Sequence, residues 1–316
     1  MRISILGAGA IGCYFAARLA ASGAEVQVIA RGETLEAIRR NGVRIEGNAD
    51  VAARPMAFAI EDARPADLLV TCVKAYALPQ LAPSVARLVK PEGLWLSAVN
   101  GLPWWYGDRP LAAVDPGGQI RASFSMERAA SCVAYLAAEV LRPGVIAFVG
   151  GKGLILGTPT DRPSALLDEA AAAFTAAGIA SSVSDDIRSA LWNKLFGNVG
   201  LNPLTAMTGL SVDKFLADIE LKTMLIEITG EAMRVAEAGR RPTREHGDRT
   251  CRGNVSPRRV PTSMLQDADA GRAIELDAIL GALLEVADRR CIAVPTSRRA
   301  YALVRGFALS RGLLPG

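Results

Sequence analysis

The run RISILGAGAIG at positions 2–12 narrows the folds open to this chain more than any other stretch. A short apolar strand leads into a GxGxxG turn with glycines at 7, 9 and 12. The helical run CYFAARLAASG follows, stops at Gly23, and gives way to a second strand, EVQVIAR. Alone, GxGxxG is a weak signal; between a strand and a helix it is a strong one. Gly7 allows the tight turn, Gly9 lets a pyrophosphate approach the backbone, and Gly12 permits close packing of helix on strand. The phosphates would sit over the helix N-terminus, at Ala10 and Ile11, where free N–H groups and the helix dipole favour an anion.

The end of the second strand selects the dinucleotide. An NAD site usually has Asp or Glu there to hold the ribose hydroxyls. Here the positions read Ala30-Arg31-Gly32. A guanidinium that can fork onto phosphate, with no acid beside it, points to the 2′-phosphate of NADP (NADPH), although Glu33 is near. Two further strands, ADLLVTCVKAY and GLWLSAVNGL, lead to Lys74 and to Asn100-Gly101. Ligands of parallel sheets bind beyond the carboxyl ends of strands, so Lys74 would meet phosphate or ribose, and Asn100 the ribose or nicotinamide end. A surface lysine and an Asn-Gly turn are the plain alternatives. The cluster PWWYG at 103–107 would either wall the site or simply pack. Further on, GVIAFVGGKGLILG has two apolar runs around Gly-Gly-Lys-Gly, the pattern of a hairpin closing the sheet with antiparallel strands.

From about Asp185 onward strand signals stop, and helices are expected over 186–201, 203–210, 212–238, 266–289 and 296–310. The reading is an α/β protein: an N-terminal Rossmann-type domain, 1–184, then an all-helical domain, 185–316. A crevice between two such domains is a natural place to hold a substrate against nicotinamide. In the second half LWNKLFGNVGLNPLTAM puts Lys194, Asn198 and Asn202 four residues apart, on one face of a continuous helix. Asn202 precedes Pro203 and is also a good N-cap for a following helix. In PTSMLQDADAGRAIELD, Thr262 or Ser263 would cap a helix, with Asp269 and Glu275 further along.

Composition excludes several other classes. Half of the 316 residues are hydrophobic and 22% are charged, which is globular rather than disordered. A net charge of +4 does not call for nucleic acid. The five cysteines (13, 72, 132, 251, 291) have no CxxC spacing, and the lone histidine is His246. A disulfide framework, an imidazole metal site and a Ser-His-Asp device are therefore disfavoured, and no metal is expected. No apolar run is long enough to span a bilayer and no leader precedes the first strand, so a cytoplasmic, soluble protein is expected. Oligomeric state is open, a homodimer included.

These motifs together resemble the ketopantoate reductase family (2-dehydropantoate 2-reductases) over nearly the whole length. The matching blocks are GAGAIG, Arg31, Lys74 in VKAY, Asn100-Gly101 in VNG, WNKLFGNVGLNPLTA and TSMLQDADAGRAIELD. The resemblance implies NADPH-dependent reduction of a 2-oxo acid to a 2-hydroxy acid, in the first place 2-dehydropantoate to pantoate. It implies that Lys194 is the general acid, that Glu275 pairs with it or with a substrate hydroxyl, and that Asn198, Asn202 and Ser263 bind substrate. It further implies that Asn100 and Lys74 lie near cofactor and substrate. Chemistry agrees, because hydride delivered to a ketone leaves charge on oxygen that an ammonium can stabilise and protonate. Partial burial should lower the lysine's pKa, and a neighbouring Glu275 should oppose that shift.

Two departures limit the resemblance. Family members often carry an asparagine that touches the substrate's distal hydroxyl where this chain has Val212. The stretch 239–259 holds seven arginines, two prolines and three glycines where the family usually has a helix, and reads as a basic loop or as a locally altered reading frame. A relative reducing another 2-oxo acid, aromatic or branched, and a non-catalytic NADP-binding regulator are the competing functions.

Overall fold

The computed structural model describes residues 1–47, 50–239 and 261–315. Apart from Gly239, the arginine-rich stretch at 239–259 lies outside the described residues. The chain divides into two compact units, 1–99 with 118–190 and 100–117 with 191–316.

The first unit carries strands β1 (Arg2–Leu6), β2 (Glu25–Ile29), β3 (Val43–Glu46), β4 (Val51–Ala53), β5 (Met56–Phe58), β6 (Ala66–Thr71), β7 (Val89–Ser97), β8 (Ala129–Arg142), β9 (Val145–Gly157) and β10 (Ser181–Val183). They form one sheet in the order β4-β3-β9-β8-β7-β6-β1-β2-β5, with β10 beside β9. The run from β8 through β7, β6, β1 and β2 to β5 is parallel. Its helices are α1 (Ala10–Ala21), α2 (Gly32–Asn41), α3 (Leu78–Leu88), α4 (Gln119–Ser123) and α5 (Ala165–Ala176).

Central parallel strands must bury both faces, which is why β1, β6 and the end of β7 are nearly continuous in apolar residues. One face, through Ile3, Ile5, Leu68, Val70, Leu94 and Leu96, packs in a single core with Phe15 and Leu19 of α1 and Phe174 of α5. Phe15 meets Phe174 edge to face at 5.0 Å. Burying each such ring contributes about 1.5–3 kcal/mol. On the other face some polar groups pair internally: Gln27 Nε2 donates to Ser4 Oγ at 2.5 Å and Trp95 Nε1 to Thr71 Oγ1 at 3.0 Å. Strand order reverses direction between β1 and β6, so the switch point lies at the carboxyl ends, Leu6 and Thr71.

The hairpin expectation needs correction. Residues 145–157 form a single strand, and its partner across the turn at Pro143-Gly144 is β8. Gly150 and Gly151 mark register shifts inside the ladder rather than a turn. A side chain at Gly151 would strike the Tyr135 carbonyl oxygen at 2.3 Å, and Gly150 has φ +143°. The glycines there answer close strand approach, which sequence cannot separate from a turn. The antiparallel closure of β8 on β9 is as expected.

The second unit is helical apart from its loops: α6 (Ile187–Asn198, which begins in the first unit), α7 (Leu201–Thr208), α8 (Val212–Ala217), α9 (Ile219–Glu237), α10 (Ser263–Asp269), a π-helical turn (Asp277–Gly281), α11 (Ala282–Arg289) and α12 (Pro295–Ser310). Three expected helices are broken. The helix of 186–201 ends at Asn198, that of 212–238 is interrupted at Asp218, and that of 266–289 opens into a loop after Asp269. At Asp218 the carboxylate accepts from Leu221 N–H at 2.9 Å, so a cap outweighs continuation. Glu231, 4% exposed, reaches from α9 to cap α12, accepting from Thr296 N–H at 2.9 Å and Ser297 N–H at 2.7 Å.

The loop 100–117 follows a strand of the first unit but folds with the helices, and its hydrogen bonds show why. Glu285 on α11 accepts from the N–H groups of Ala112 and Ala113, each at 3.0 Å. Arg289, one turn on, donates to the carbonyls of Arg109 (2.8 Å) and Pro110. Trp192 Nε1 donates to Tyr106 Oη at 2.7 Å. Trp104 and Trp105 are buried, so PWWYG packs. Among the described residues no helix is long and apolar enough to cross a membrane.

Candidate active site

At the end of β1 the chain must turn sharply. Gly7 does so with φ +103°, its N–H bonded to the Ile29 carbonyl at 3.0 Å. A side chain there would meet Val73 Cγ1 at 2.8 Å, and one at Gly12 would lie 1.8 Å from the Gly7 oxygen. Gly9 is different: a Cβ built on it meets nothing within 4 Å. Two glycines are thus demanded by the protein's own packing, and the third leaves open space beside the backbone. Gly9 is the N-cap of α1 and makes no side-chain cap, and the first turn, with Ala10 and Ile11, carries no acid. Backbone N–H groups there lack helical acceptors, so the turn suits an anion and the residues fit a dinucleotide's pyrophosphate.

Arg31 is the N-cap of α2 and exposed; its carbonyl accepts from Leu35 N–H at 3.4 Å, while its guanidinium makes no hydrogen bond or ion pair among the described residues. Glu33 follows in the first turn of α2, also exposed. Lys74, half-buried, begins the short 3-10 turn Ala75–Ala77 three residues beyond β6. Two thiols lie against the glycine turn. Cys13 Sγ donates to the Ala8 carbonyl at 3.3 Å, and burial pushes its pKa up to about 12; Cys72, whose Cβ would be 3.3 Å from a side chain at Gly12, is pushed well up by burial too.

The remaining candidates, Asn100, Lys194, Asn198, Asn202, Ser263 and Glu275, all belong to the second unit. Lys194 and Asn198 stand one turn apart on α6, both half-buried. Asn202 is not on that helix. The chain breaks at Val199-Gly200, where a side chain on Gly200 would press on Leu225 Cδ1 at 2.7 Å and Ile228 Cγ2 at 3.3 Å of α9. Gly200, not Asn202, is the N-cap of α7, which corrects the capping expectation; Asn202 is the second helical residue and Pro203 sits harmlessly in the first turn. Asn202 is only 5% exposed, yet among the described residues neither its amide nor that of Asn198 makes a hydrogen bond. Their amide groups keep some access to solvent and have hydrogen-bonding capacity left over, so these two suit a polar ligand.

Ser263 is the exposed first residue of α10, and its neighbour Thr262, not Ser263, is the cap: Thr262 Oγ1 accepts from Leu265 N–H at 3.2 Å. Glu275, 7% exposed, stands two residues before the π-helical turn, a widening that often accompanies functional sites. Asn100 is brought to that same turn. Gly101 has φ +87°, a Cβ there would lie 1.9 Å from the Ala278 carbonyl oxygen, and Leu102 N–H donates to that oxygen at 3.2 Å. Backbone lies on backbone, and only glycine permits it. Just beyond, Tyr301 Oη donates to Asp277 Oδ1 at 2.6 Å; burial first, then this bond, raises its pKa to about 12. Sequence reasoning missed Gly101 as a packing residue and Thr205, whose hydroxyl lies 2.7 Å from that of Thr262. The positive φ of Gly101 has a trace in the Asn-Gly pair; the threonine pair, 57 residues apart, has none.

The description "Ketopantoate reductase PanE/ApbA" matches residues 3–160, and its C-terminal counterpart matches residues 186–308. The chain is 36% identical to a 2-dehydropantoate 2-reductase from Mesorhizobium japonicum, over 99% of each sequence. In structure it is similar to a protein described as a ketopantoate reductase from Ralstonia solanacearum MolK2, with 32% identity, a TM-score of 0.91 and 99% of each chain covered. It is similar also to a 2-dehydropantoate 2-reductase from Geobacter metallireducens GS-15, at 27% identity and a TM-score of 0.85, covering 97% of this chain and 99% of that one.

Proposed function

The chain belongs to the ketopantoate reductase family, and from that premise we propose that it reduces 2-dehydropantoate to pantoate with NADPH. The observation that carries the substrate side is the pair of amides, Asn198 and Asn202, four and eight positions after Lys194, that have no hydrogen-bond partner among the described residues. They offer neutral donors to a carboxylate or hydroxyl, and Lys194 offers the one acidic proton among the three. The reduced nicotinamide, when bound, supplies the hydride. Lys194 Nζ hydrogen-bonds the ketone oxygen, stabilises charge growing there, and gives up a proton as the C–O bond becomes single. Glu275 holds that ammonium or a substrate hydroxyl, Ser263 and Asn100 complete the polar contacts, and Arg31 with Lys74 and the turn from Gly7 to Gly12 receives the NADPH phosphates.

The test is NADPH oxidation followed spectroscopically against a panel of 2-oxo acids that includes 2-dehydropantoate. Lys194→Ala should lower kcat by about 10²–10⁴-fold, the usual worth of a general acid. NADPH should still quench tryptophan emission in that variant. A Lys194→Ala enzyme with wild-type kcat would remove the assignment. The second reading is a different 2-oxo acid, favoured by Val212, which begins α8 and is 7% exposed. Valine offers no hydrogen bond to a distal hydroxyl. Turnover of an aromatic or branched 2-oxo acid without turnover of 2-dehydropantoate would establish that reading instead.

A further inference from the structure

Two hydroxyls bridge the helices that carry Asn202 and Ser263. Thr205 Oγ1 lies 2.7 Å from the Leu201 carbonyl oxygen and 3.2 Å from that of Asn202. It lies 2.7 Å from Thr262 Oγ1. A hydroxyl has one proton, and that of Thr205 points to the carbonyls of its own first turn. Thr262 must therefore donate to Thr205, while its own oxygen accepts from Leu265 N–H at 3.2 Å. The result is a chain with a single direction, from Leu265 N–H through Thr262 and Thr205 to the Leu201 carbonyl.

Its two halves are ordinary. A threonine bonding back four residues in a helix is common, and so is a threonine N-cap. The join is not local, since it spans 57 positions. Thr205 is fully buried and Thr262 half-buried, so the join is shielded from solvent on the Thr205 side. One end grips the backbone at Leu201 and Asn202, and the other decides that Ser263 is the first residue of α10.

We propose that the Thr205–Thr262 hydroxyl pair is a positioning device that fixes Asn202 relative to Ser263, and so sets the width of the 2-oxo acid's polar subsite. The inference rests on the reductase reading above. Neither threonine touches substrate; each acts through its neighbour.

Thr205→Val keeps the shape and removes the join, whereas Thr205→Ser keeps the hydroxyl. We expect KM for the 2-oxo acid to rise about 10-fold in Thr205→Val, the worth of one buried hydrogen bond. KM for NADPH and kcat should stay within about twofold, and Thr205→Ser should restore the wild-type KM. Thr262→Val provides a second route should Thr205→Val fail to fold, with the same expected split; Thr262→Ser, which keeps cap and join, should match the wild type. In substrate KM the double valine variant should be no worse than the worse single one, because the join is lost once; the Thr262 cap and the Thr205 bond to the Leu201 carbonyl are lost separately and register in stability. Lowered thermal stability with an unchanged substrate KM would overturn the inference and leave a purely structural bond. So would equal losses for substrate and NADPH, or a serine variant as impaired as the valine. A wild type active on the panel with any of these results sinks the positioning role alone; a wild type inactive on every 2-oxo acid sinks the reductase reading and this inference with it.

Discussion

Arg31 shows how much one side chain can decide. It caps α2 with an extended backbone, its guanidinium is exposed and has no partner among the described residues, and no acid stands at 30 or 32. A carboxylate at that place would repel a 2′-phosphate; a guanidinium can grip it through two parallel bonds. Charge-assisted hydrogen bonds are worth about 1.5–3 kcal/mol, or roughly 10–100-fold in affinity. Arg31→Ala should accordingly weaken NADPH by that factor while NADH affinity hardly moves, as read by fluorescence titration of both cofactors. Equal losses would mean that Arg31 does not meet the 2′-phosphate. The glycines make the same point from the other side: Gly12 and Gly101 are set by contacts of 1.8 and 1.9 Å that any side chain would violate.

At the scale of elements, α11 settles where the loop 100–117 belongs. Glu285 and Arg289 are an i,i+4 pair, bonded at 2.6 Å. A surface pair of that kind contributes only a few tenths of a kcal/mol. The weight falls instead on what each holds outside the helix: two backbone N–H groups by the carboxylate and two backbone carbonyls by the guanidinium. Glu285→Ala would leave the Ala112 and Ala113 N–H groups without their acceptors and release the segment that begins at Asn100. We expect a loss of about 2 kcal/mol, discounted from two charge-assisted bonds because the Glu285 side chain is 23% exposed. Denaturant unfolding measures it, and Glu285→Gln should recover part of the loss. An unchanged midpoint in Glu285→Ala would show that the loop is held by its tryptophans alone.

For the molecule as a whole, three groups, the buried Cys13 and the half-buried Cys72 and Tyr301, tie stability to alkaline pH. Folding raises the pKa of Cys13 from about 9 to about 12, raises that of Cys72 well above its usual range, and raises that of Tyr301 from about 10 to about 12. In each case the folded state keeps a proton that the unfolded chain gives up earlier. Their contribution is therefore intact below pH 9 and is lost as pH climbs from about 9 toward 12. Cys13 can steepen the decline by up to about 1.4 kcal/mol per pH unit, and the half-buried Tyr301 by less, because solvent screens its charge. Urea midpoints at pH 8, 9.5 and 10.5 should fall progressively, and Cys13→Ala should make the fall shallower. An alkaline slope identical in that variant would mean Cys13 ionises in the folded state as it does in the unfolded one.

Much of this was legible in the chain itself. The order RISIL, GAGAIG, helix, EVQVI is local, because the turn, the capping and the two periodicities of strand and helix each involve residues within a few positions. So are the pairing of Lys194 with Asn198 on one helical face and the absence of an acid beside Arg31. What lay beyond reading involves contacts between distant segments. Residue 200, where the helix breaks, is held to glycine because α9 leaves no room for a side chain there, and a pattern of period 3.6 runs through that break without notice. The single long strand across Gly150 and Gly151 depends on the approach of Tyr135 and Leu136 in β8, and the place of the loop 100–117 depends on Glu285 and Arg289, more than 170 residues further along. Periodicity and local chemistry fixed the elements and the identity of most candidate side chains; excluded volume and hydrogen bonds between remote residues, which leave no local signature, chose where elements end and which unit each one joins.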